Sequence, residues 1–482
     1  MASGNSSQSS IGSSTTVPFL LLCAAIVASF IASSGPIQWM DNGVFMADAS
    51  LRHYFSESLG PLDHPLYHFV STATFDMFGP RILSLLNSIL LIPLVWAVYK
   101  LAVSVGASAR QALLAAAATV LSHSVFWVST KIEVYILHAL LVLLAYWVHF
   151  DRRSSLGDVG KLLIIGALTG LGAAIHQLTF VVLLPLYIQL LYQQKTRILI
   201  TIPGFVAGFA VAWPAVAHDL QGGMTLIEVF HRYLTGSAVK SDQPSWEGSL
   251  LRFDDMWHEK NSVFIVLLSL IGPQLLGLVL FPKDSRLRLL WCAAALNFVF
   301  AVSYNVTDRF TFFLPGVAIL SIIGVMKLQA LLPRAMTGKT LIPLLSVVAS
   351  PLTILLVYSL YATGLLSLPT HKEALPFRDD IHYFMVPYLP DHSAEQFAHS
   401  YEQLVPEGAL IIADWTPMGA LRSAQAVGAL QGRALEMCDE VKDIKVFLEG
   451  HGAYLARTSY CAMIGDKYAL ENSAVGYALH SK

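Results

Sequence analysis

Acidic side chains beside apolar segments are the residues of this sequence best suited to chemistry. Asp41 follows the first long apolar segment within a few residues, so its carboxylate is expected close to the lipid headgroups. A carboxylate placed there can act as a general base that accepts the proton of a hydroxyl nucleophile. The competing interpretation is a helix N-cap before an amphipathic helix over 43–56. Asp48 lies seven residues further on, and the solvated face of that helix explains it equally well.

Three more ionisable residues lie within or beside apolar segments. Glu133 precedes Tyr135 at the start of one segment, and His176 separates two short ones. Ionisable groups are costly to bury at such depth and are candidates for function. A salt bridge is the alternative for Glu133, and a hydrogen-bonded core histidine is the alternative for His138. Glu133, His138 and His176 have no diagnostic metal-ligand spacing, so a divalent metal remains open and no cofactor is predicted.

Cations that could meet an anion lie at the ends of other apolar segments. Arg309 offers a planar guanidinium that matches phosphate oxygens, and an ion pair with Asp308 is its alternative. The polar segment 218–261 contributes Arg252 and Lys260 among several aromatic residues. This mixture is typical of an interfacial helix that faces lipid or lipid-phosphate headgroups. Membrane anchoring without catalysis explains each of these residues as well.

The elements that position these residues must be membrane helices. Of the 482 residues, 55% are hydrophobic and only 13% are charged, whereas about 25% of a typical soluble chain is charged. Too few charges remain to coat soluble domains, so most of the chain is expected to be surrounded by lipid. The net charge of -2 provides no basic excess, which argues against a nucleic-acid partner.

A helix that crosses a bilayer needs about 20 largely apolar residues. The segments that meet this condition are 17–34, 81–103, 110–128, 133–150, 160–175, 177–194, 197–217, 262–281, 288–304, 310–328 and 341–364. The sequence therefore predicts a polytopic α-helical membrane protein with about eleven transmembrane helices. The first segment also resembles a signal peptide, but no Lys or Arg precedes it.

The distribution of positive charge predicts the orientation. With residue 1 in the cytoplasm, Lys and Arg fall in the short inside loops, as multi-pass proteins prefer. The longer polar segments 35–80 and 218–261, and everything after 364, then lie outside. We therefore expect a disordered tail over 1–16, a membrane module over 17–364 and an extracytoplasmic domain over 365–482.

The last segment changes character and is predicted to be a small α/β domain. Its apolar residues come in short runs that indicate strands at 408–414 and 453–457, with helices at 393–404 and 417–430. Cys438 and Cys461 can pair there if the domain is extracytoplasmic.

Four separated motifs, in order along the chain, resemble one family. They are Asp41-Asn42-Gly43 with His64-Pro65-Leu66-Tyr67; Phe126-Trp127-Val128 with Glu133-Val134-Tyr135; Gly170-Leu171-Gly172 with His176 and Pro185; and Asp308-Arg309 with Phe313-Leu314-Pro315. These motifs resemble those of a multi-pass branch of the GT-C glycosyltransferases, similar to protein O-mannosyltransferases. Two departures stand out: Val44 replaces the Glu expected after Asp-x-Gly, and a longer His-Pro-Pro-Gly-Tyr-Pro motif is shortened to His64-Pro65.

The resemblance implies a GT-C-like fold and a function. Such an enzyme takes a sugar, for example mannose, from a polyprenyl-phosphate lipid and passes it to a protein, glycan or lipid acceptor outside the cytoplasm. The implied catalytic residues are Asp41 as base, with Asp48 and Glu133. The implied substrate-binding residues are His64, Tyr135, His176, Arg309, Arg252 and Lys260, of which Arg309 holds the donor phosphate. A transporter or lipid flippase, and a non-catalytic membrane scaffold that binds glycans, are the alternatives.

Overall fold

The fold is known from a computed structural model that describes residues 11–55, 63–153, 155–236, 247–332, 341–368 and 375–482. The sequence predicts a disordered tail over 1–16, and residues 1–10 of that tail lie outside the described residues. Its remaining residues, 11–16, belong to the first helix.

The first part of the chain is helical throughout. In chain order the helices are α1 (Ile11–Ala32), α2 (Met40–Leu51), α3 (Pro65–Ser104), α4 (Ala109–Val120), α5 (His123–Ser129), α6 (Tyr135–Phe150), α7 (Asp158–Ala173), α8 (Leu178–Gln194), α9 (Thr201–Phe209), α10 (Trp213–Gln221), α11 (Leu226–Thr235), α12 (Lys260–Leu268), α13 (Pro273–Val279), α14 (Ser285–Ser303), α15 (Leu314–Leu331) and α16 (Leu341–Ala362). Side chains cap several of these helices; Ser108, for example, accepts from the backbone N–H of Gln111 at the start of α4.

The chain is a multi-pass membrane protein. Among the described residues, six helical segments are long and apolar enough to cross a bilayer, or up to eight if two bent pairs each count as one. The pairs are α4–α5, bent by 67°, and α12–α13, bent by 107°. The sequence-based count of eleven is larger because 178–221 forms one long segment and because α6 and α7 have only 16 residues each. That count remains a prediction.

Helix α3 combines part of the polar segment 35–80 with a membrane helix. It is interrupted at Gly79, where φ is +80° and Pro80 follows. Glycine reaches this left-handed conformation without the steric cost that a Cβ imposes. The stretch after the break coincides with the span predicted over 81–103, while 65–78 extends it by several helical turns.

The remaining residues, 375–482, are called the C-terminal unit below. They form α17 (Asp380–Met385), α18 (Ser393–Leu404), β1 (Leu410–Ala413), α19 (Trp415–Ala426), β2 (Ala434–Met437), α20 (Ile444–Glu449), β3 (Ala453–Leu455), α21 (Ala462–Lys467), β4 (Tyr468–Ser473) and β5 (Gly476–Ser481). The five strands make one sheet in the order β2-β1-β3-β5-β4. β1 pairs in parallel with β2 and β3, and the β3–β5 and β5–β4 pairs are antiparallel.

Several local predictions coincide with these elements. The strand predicted over 408–414 contains β1, whose residues are all buried, and α18 spans the predicted helix 393–404. A disulfide joins Cys438 and Cys461 next to the sheet. The domain boundary at 365 and the side of the membrane on which the unit lies remain predictions.

The C-terminal unit packs directly against α2 through two glycines. A Cβ on Gly43 would lie 2.2 Å from the carbonyl oxygens of Gln38 and Gly419, and a Cβ on Gly419 would lie 2.2 Å from the carbonyl oxygen of Met40. No side chain fits between the two helix backbones at this point. Helix α19 therefore fixes the position of α2.

Replacement of Gly43 by Ala should loosen this contact. The added methyl group forces α2 and α19 apart, and overpacking of this kind costs about 1–3 kcal/mol. We expect Gly43→Ala to lower the free energy of unfolding by that amount, measured by circular dichroism of the detergent-solubilised protein.

Gly160→Ala is the matched control. Its Cβ would meet Leu156 at 3.5 Å, an ordinary contact, in the first turn of α7, so it should be neutral or slightly stabilising. Identical unfolding curves for both variants would contradict the tight α2–α19 contact.

Candidate active site

Asp41 lies in the first turn of α2 and is half-buried. The N-cap of this helix is Trp39, which makes no side-chain capping bond. Interpreting Asp41 as an N-cap is therefore wrong, and the helix spans 40–51 rather than 43–56. Instead of a backbone N–H, the Asp41 Oδ1 atom accepts a hydrogen bond from the indole N–H of Trp415.

The surroundings of Asp41 favour its protonated form. Burial, the negative charge of Asp308 and, to a smaller degree, that of Asp63 together raise the pKa of Asp41 to about 7, against the Trp415 hydrogen bond, which lowers it. Burial also raises the pKa of Asp308 to about 6, against a hydrogen bond from its own backbone and the charge of Arg309. The pKa of Asp41 therefore lies near neutral pH.

Glu133 is buried just beneath α2. Its Oε2 accepts from Asn42 Nδ2 at 2.9 Å, and its Oε1 accepts from the Val134 backbone N–H at 2.9 Å. Asn42 in turn accepts from the hydroxyl of Tyr383, at 2.9 Å, so a residue of the C-terminal unit completes the chain of bonds. Lys131 does not pair with Glu133 but lies 4.6 Å above the ring of Trp127.

Histidines and aromatic residues form a wall beside these acids. The His176 ring lies 5.4 Å from that of His64, 5.7 Å from that of Tyr135 and 5.3 Å from that of Phe312, between ring centroids. The His64 Nδ1 atom is held by the carbonyl oxygen of Ile175. The structure therefore brings together three of the predicted substrate-binding residues, His64, Tyr135 and His176.

The described residues do not group three His, Cys, Asp or Glu side chains closely enough to hold a metal ion. The considered set of Glu133, His138 and His176 is therefore not assembled as a metal site. His138 instead bonds to the Thr179 hydroxyl at 3.0 Å, as a core histidine does.

Asp48 lies at the other end of α2, in a different cluster. Its Oδ1 is 3.4 Å from His53 Nδ1, and its Oδ2 is 4.0 Å from His68 Nδ1. The other ring nitrogen of His68 is 3.2 Å from Asp63. The partners of Asp48 are thus His53, just after α2, and His68, in the first turns of α3. Its predicted catalytic role remains a prediction.

Arg309 is fully buried, and its donors bond to the last turn of α14 and to the segment that follows that helix. They reach the carbonyl oxygen of Val306 at 3.0 Å, that of Val302 at 3.1 Å and the side-chain oxygen of Asn305 at 2.8 Å. None of these three bonds goes to Asp308, so they do not support the alternative of an ion pair between Arg309 and Asp308. Three of the five N–H groups of Arg309 are engaged, and because the side chain is fully buried, phosphate can reach it only if the surrounding segment moves.

The other predicted cations lie on the adjacent segment. Arg252 pairs with Asp255 at 2.8 Å, and Asp255 accepts from Asn305 at 3.0 Å. Arg252, Asp255, Asn305 and Arg309 therefore form one connected network. Lys260 is exposed at the start of α12.

Three participants were not identified from the sequence as site residues: Asn42, Tyr383 and Trp415. Asn42 lies within the motif Asp41-Asn42-Gly43, so its position next to Asp41 could have identified it as a site residue. Trp415 is 374 residues from its partner Asp41, and no local pattern indicates that contact.

Comparison with known proteins identifies the fold. No protein-family profile and no curated protein sequence matches the chain. The crystal structure of ArnT from Cupriavidus metallidurans in the apo state aligns with a TM-score of 0.61 at 12% identity, over 96% of this chain and 97% of ArnT. The same protein bound to undecaprenyl phosphate aligns with a TM-score of 0.59 at 13% identity, over 96% and 98%. At such identity the likeness establishes the fold alone: over nearly its whole length the chain has the same fold as ArnT.

Proposed function

We propose that the chain is a glycosyltransferase that moves a sugar from a polyprenyl-phosphate donor to an acceptor hydroxyl at the extracytoplasmic membrane surface. The observation that carries the proposal is the half-buried carboxylate of Asp41, whose pKa of about 7 suits a general base. The fold supports it, because the ArnT structure with the same fold binds undecaprenyl phosphate.

In the proposed reaction Asp41 removes the proton of the acceptor hydroxyl. The oxygen attacks the anomeric carbon of the donor sugar and forms the new glycosidic bond. The bond between that carbon and the phosphate oxygen breaks, and polyprenyl phosphate leaves with the electron pair. One proton goes to Asp41, and the leaving phosphate takes up the negative charge.

The cations on the neighbouring elements are proposed to stabilise that charge. Lys260 is exposed, and Arg252 is only partly buried beside its acidic partners. Arg309 is buried and contributes to phosphate binding once the segment around it opens to the donor. The positive charges of these side chains stabilise the negative charge that develops on the leaving phosphate, as electrostatic catalysis requires.

The remaining residues are assigned to the acceptor side. His64, Tyr135 and His176 form the wall of the proposed acceptor pocket, and Glu133 holds α2 through Asn42 next to Asp41. The histidine partners of Asp48 favour a role in holding the far end of α2. Mannose, the sugar implied by the O-mannosyltransferase resemblance, is one donor sugar to test.

Transfer of labelled sugar by the purified protein tests the proposal. The donors are polyprenyl phosphates that carry mannose or another single sugar, and the acceptors are lipid, glycan and peptide fractions of membranes. Asp41→Asn removes the base, and we expect its rate to fall by about 10²–10⁴-fold. Asp158→Asn, at an exposed position in the first turn of α7, should retain the wild-type rate.

Equal transfer by wild type and Asp41→Asn would remove Asp41 from the mechanism. No transfer from any donor, together with substrate flux across proteoliposomes, would favour a transporter or flippase. Glycan binding without transfer or flux would favour the scaffold.

The pH dependence follows from the raised pKa of Asp41. The base works only when deprotonated, so kcat/KM should be constant well above pH 7 and should fall about tenfold per pH unit well below it. An acid limb centred near pH 4, the value for an unperturbed carboxylate, would contradict the assignment of Asp41 in this environment.

A further inference from the structure

We propose that Trp415 of the C-terminal unit is a positioning residue for Asp41. Its indole N–H donates to Oδ1 of the carboxylate, so that in the proposed reaction Oδ2 takes the proton of the acceptor hydroxyl. This inference rests on the proposed role of Asp41 as base and adds that the base is oriented by a residue outside the membrane helices.

Trp415 is held in place by the start of α19. It follows Asp414, whose two carboxylate oxygens bind Arg457 Nε and Nη2, each at 2.7 Å. The Asp414 side chain also caps α19 by accepting from the Thr416 backbone N–H at 3.2 Å. A bidentate pair between arginine and a carboxylate is among the more rigid polar contacts in proteins, so the backbone that carries the indole is well fixed.

One face of α19 follows α2 and its approach segment. Trp415, Gly419 and Ser423 are spaced by four residues and therefore lie on the same helix face. Trp415 bonds to Asp41, Gly419 touches the backbone of Met40, and the Ser423 hydroxyl accepts from the Gln38 backbone N–H at 3.2 Å. These three contacts set the register between the helices, so that the indole N–H meets the carboxylate of Asp41.

The exposure of Trp415 argues against a purely structural role. The residue is 44% exposed, although burial of a large aromatic ring is a major source of packing energy. The polar atom of the ring is engaged, while much of its apolar surface remains uncovered. The contact made by the N–H is therefore the principal specific interaction that this side chain offers to α2.

The hydrogen bond also acts on the proton of Asp41. An N–H donor stabilises the carboxylate form, and it opposes burial and the charge of Asp308. Replacement of Trp415 by Phe keeps the ring and removes the donor. Asp41 should then bind its proton more tightly and lose its preferred orientation.

Tryptophan fluorescence tests the contact without any donor lipid. The wild-type spectrum minus that of Trp415→Phe isolates the emission of Trp415, which should titrate with a midpoint near pH 7. The same difference taken in the Asp41→Asn background should not titrate over this range. Trp213→Phe, which removes a tryptophan of similar exposure at 45% in α10, is the control and should leave the titration in place.

The pH profile of sugar transfer tests the consequence. In Trp415→Phe the acid limb should move up by about one pH unit, since a hydrogen bond to a charged group has about that effect. A merely structural role would reduce the rate by the same factor at every pH, and this outcome or an unmoved acid limb would overturn the proposal. If no donor supports transfer, the fluorescence titration still decides whether Trp415 contacts Asp41, and the failure then belongs to the proposed function.

Discussion

The backbone contact between α2 and α19 is the interaction on which the rest of the site depends. Because Gly43 and Gly419 carry no side chain, the two helices approach until their backbones touch. The contact places the first turn of α2 between the membrane helices and the C-terminal unit. From there Asp41 reaches Trp415 on one side, while Asn42 reaches Glu133 and Tyr383 on the other. Without this close approach, Asp41 and Asn42 of α2 would not reach Trp415 and Tyr383 of the C-terminal unit.

Asp41 and Asp308 lie where water solvates a carboxylate poorly, and few cations nearby compensate their negative charge. The charge of Asp308 raises the pKa of Asp41, and the nearby Arg309 donates to the carbonyl oxygens of Val302 and Val306. Carboxylates in such a position destabilise the folded chain at neutral pH, because their charged forms are desolvated. Proteins tolerate local conflicts of this kind mainly where function needs them. The polar network around Glu133 shows the opposite solution, since both of its oxygens accept hydrogen bonds.

Much of the helical framework could be predicted from the sequence, because lipid leaves the backbone no partner but itself and long apolar segments must be helices. The buried strand β1 and the convergence of His64, Tyr135 and His176 were also expected, the latter from the family resemblance. The edge strand β4 was missed because none of its residues is buried and its second half is polar, so it has no apolar run of the kind that indicates a buried strand. Trp415 and the bonding of Arg309 could not be predicted, since both depend on tertiary contacts that no local pattern encodes.

The distance along the chain between α2 and α19 has a consequence for synthesis. Asp41 and Trp415 are separated by 374 residues, and chains emerge from the ribosome in order, at about 5–20 residues per second. Helix α2 therefore waits for tens of seconds, beside membrane helices that are already made, before its partner exists. A nascent or truncated chain that ends before α19 contains Asp41 without the indole N–H that binds it. The contacts of Asp41 are therefore complete only after α19 has been synthesised.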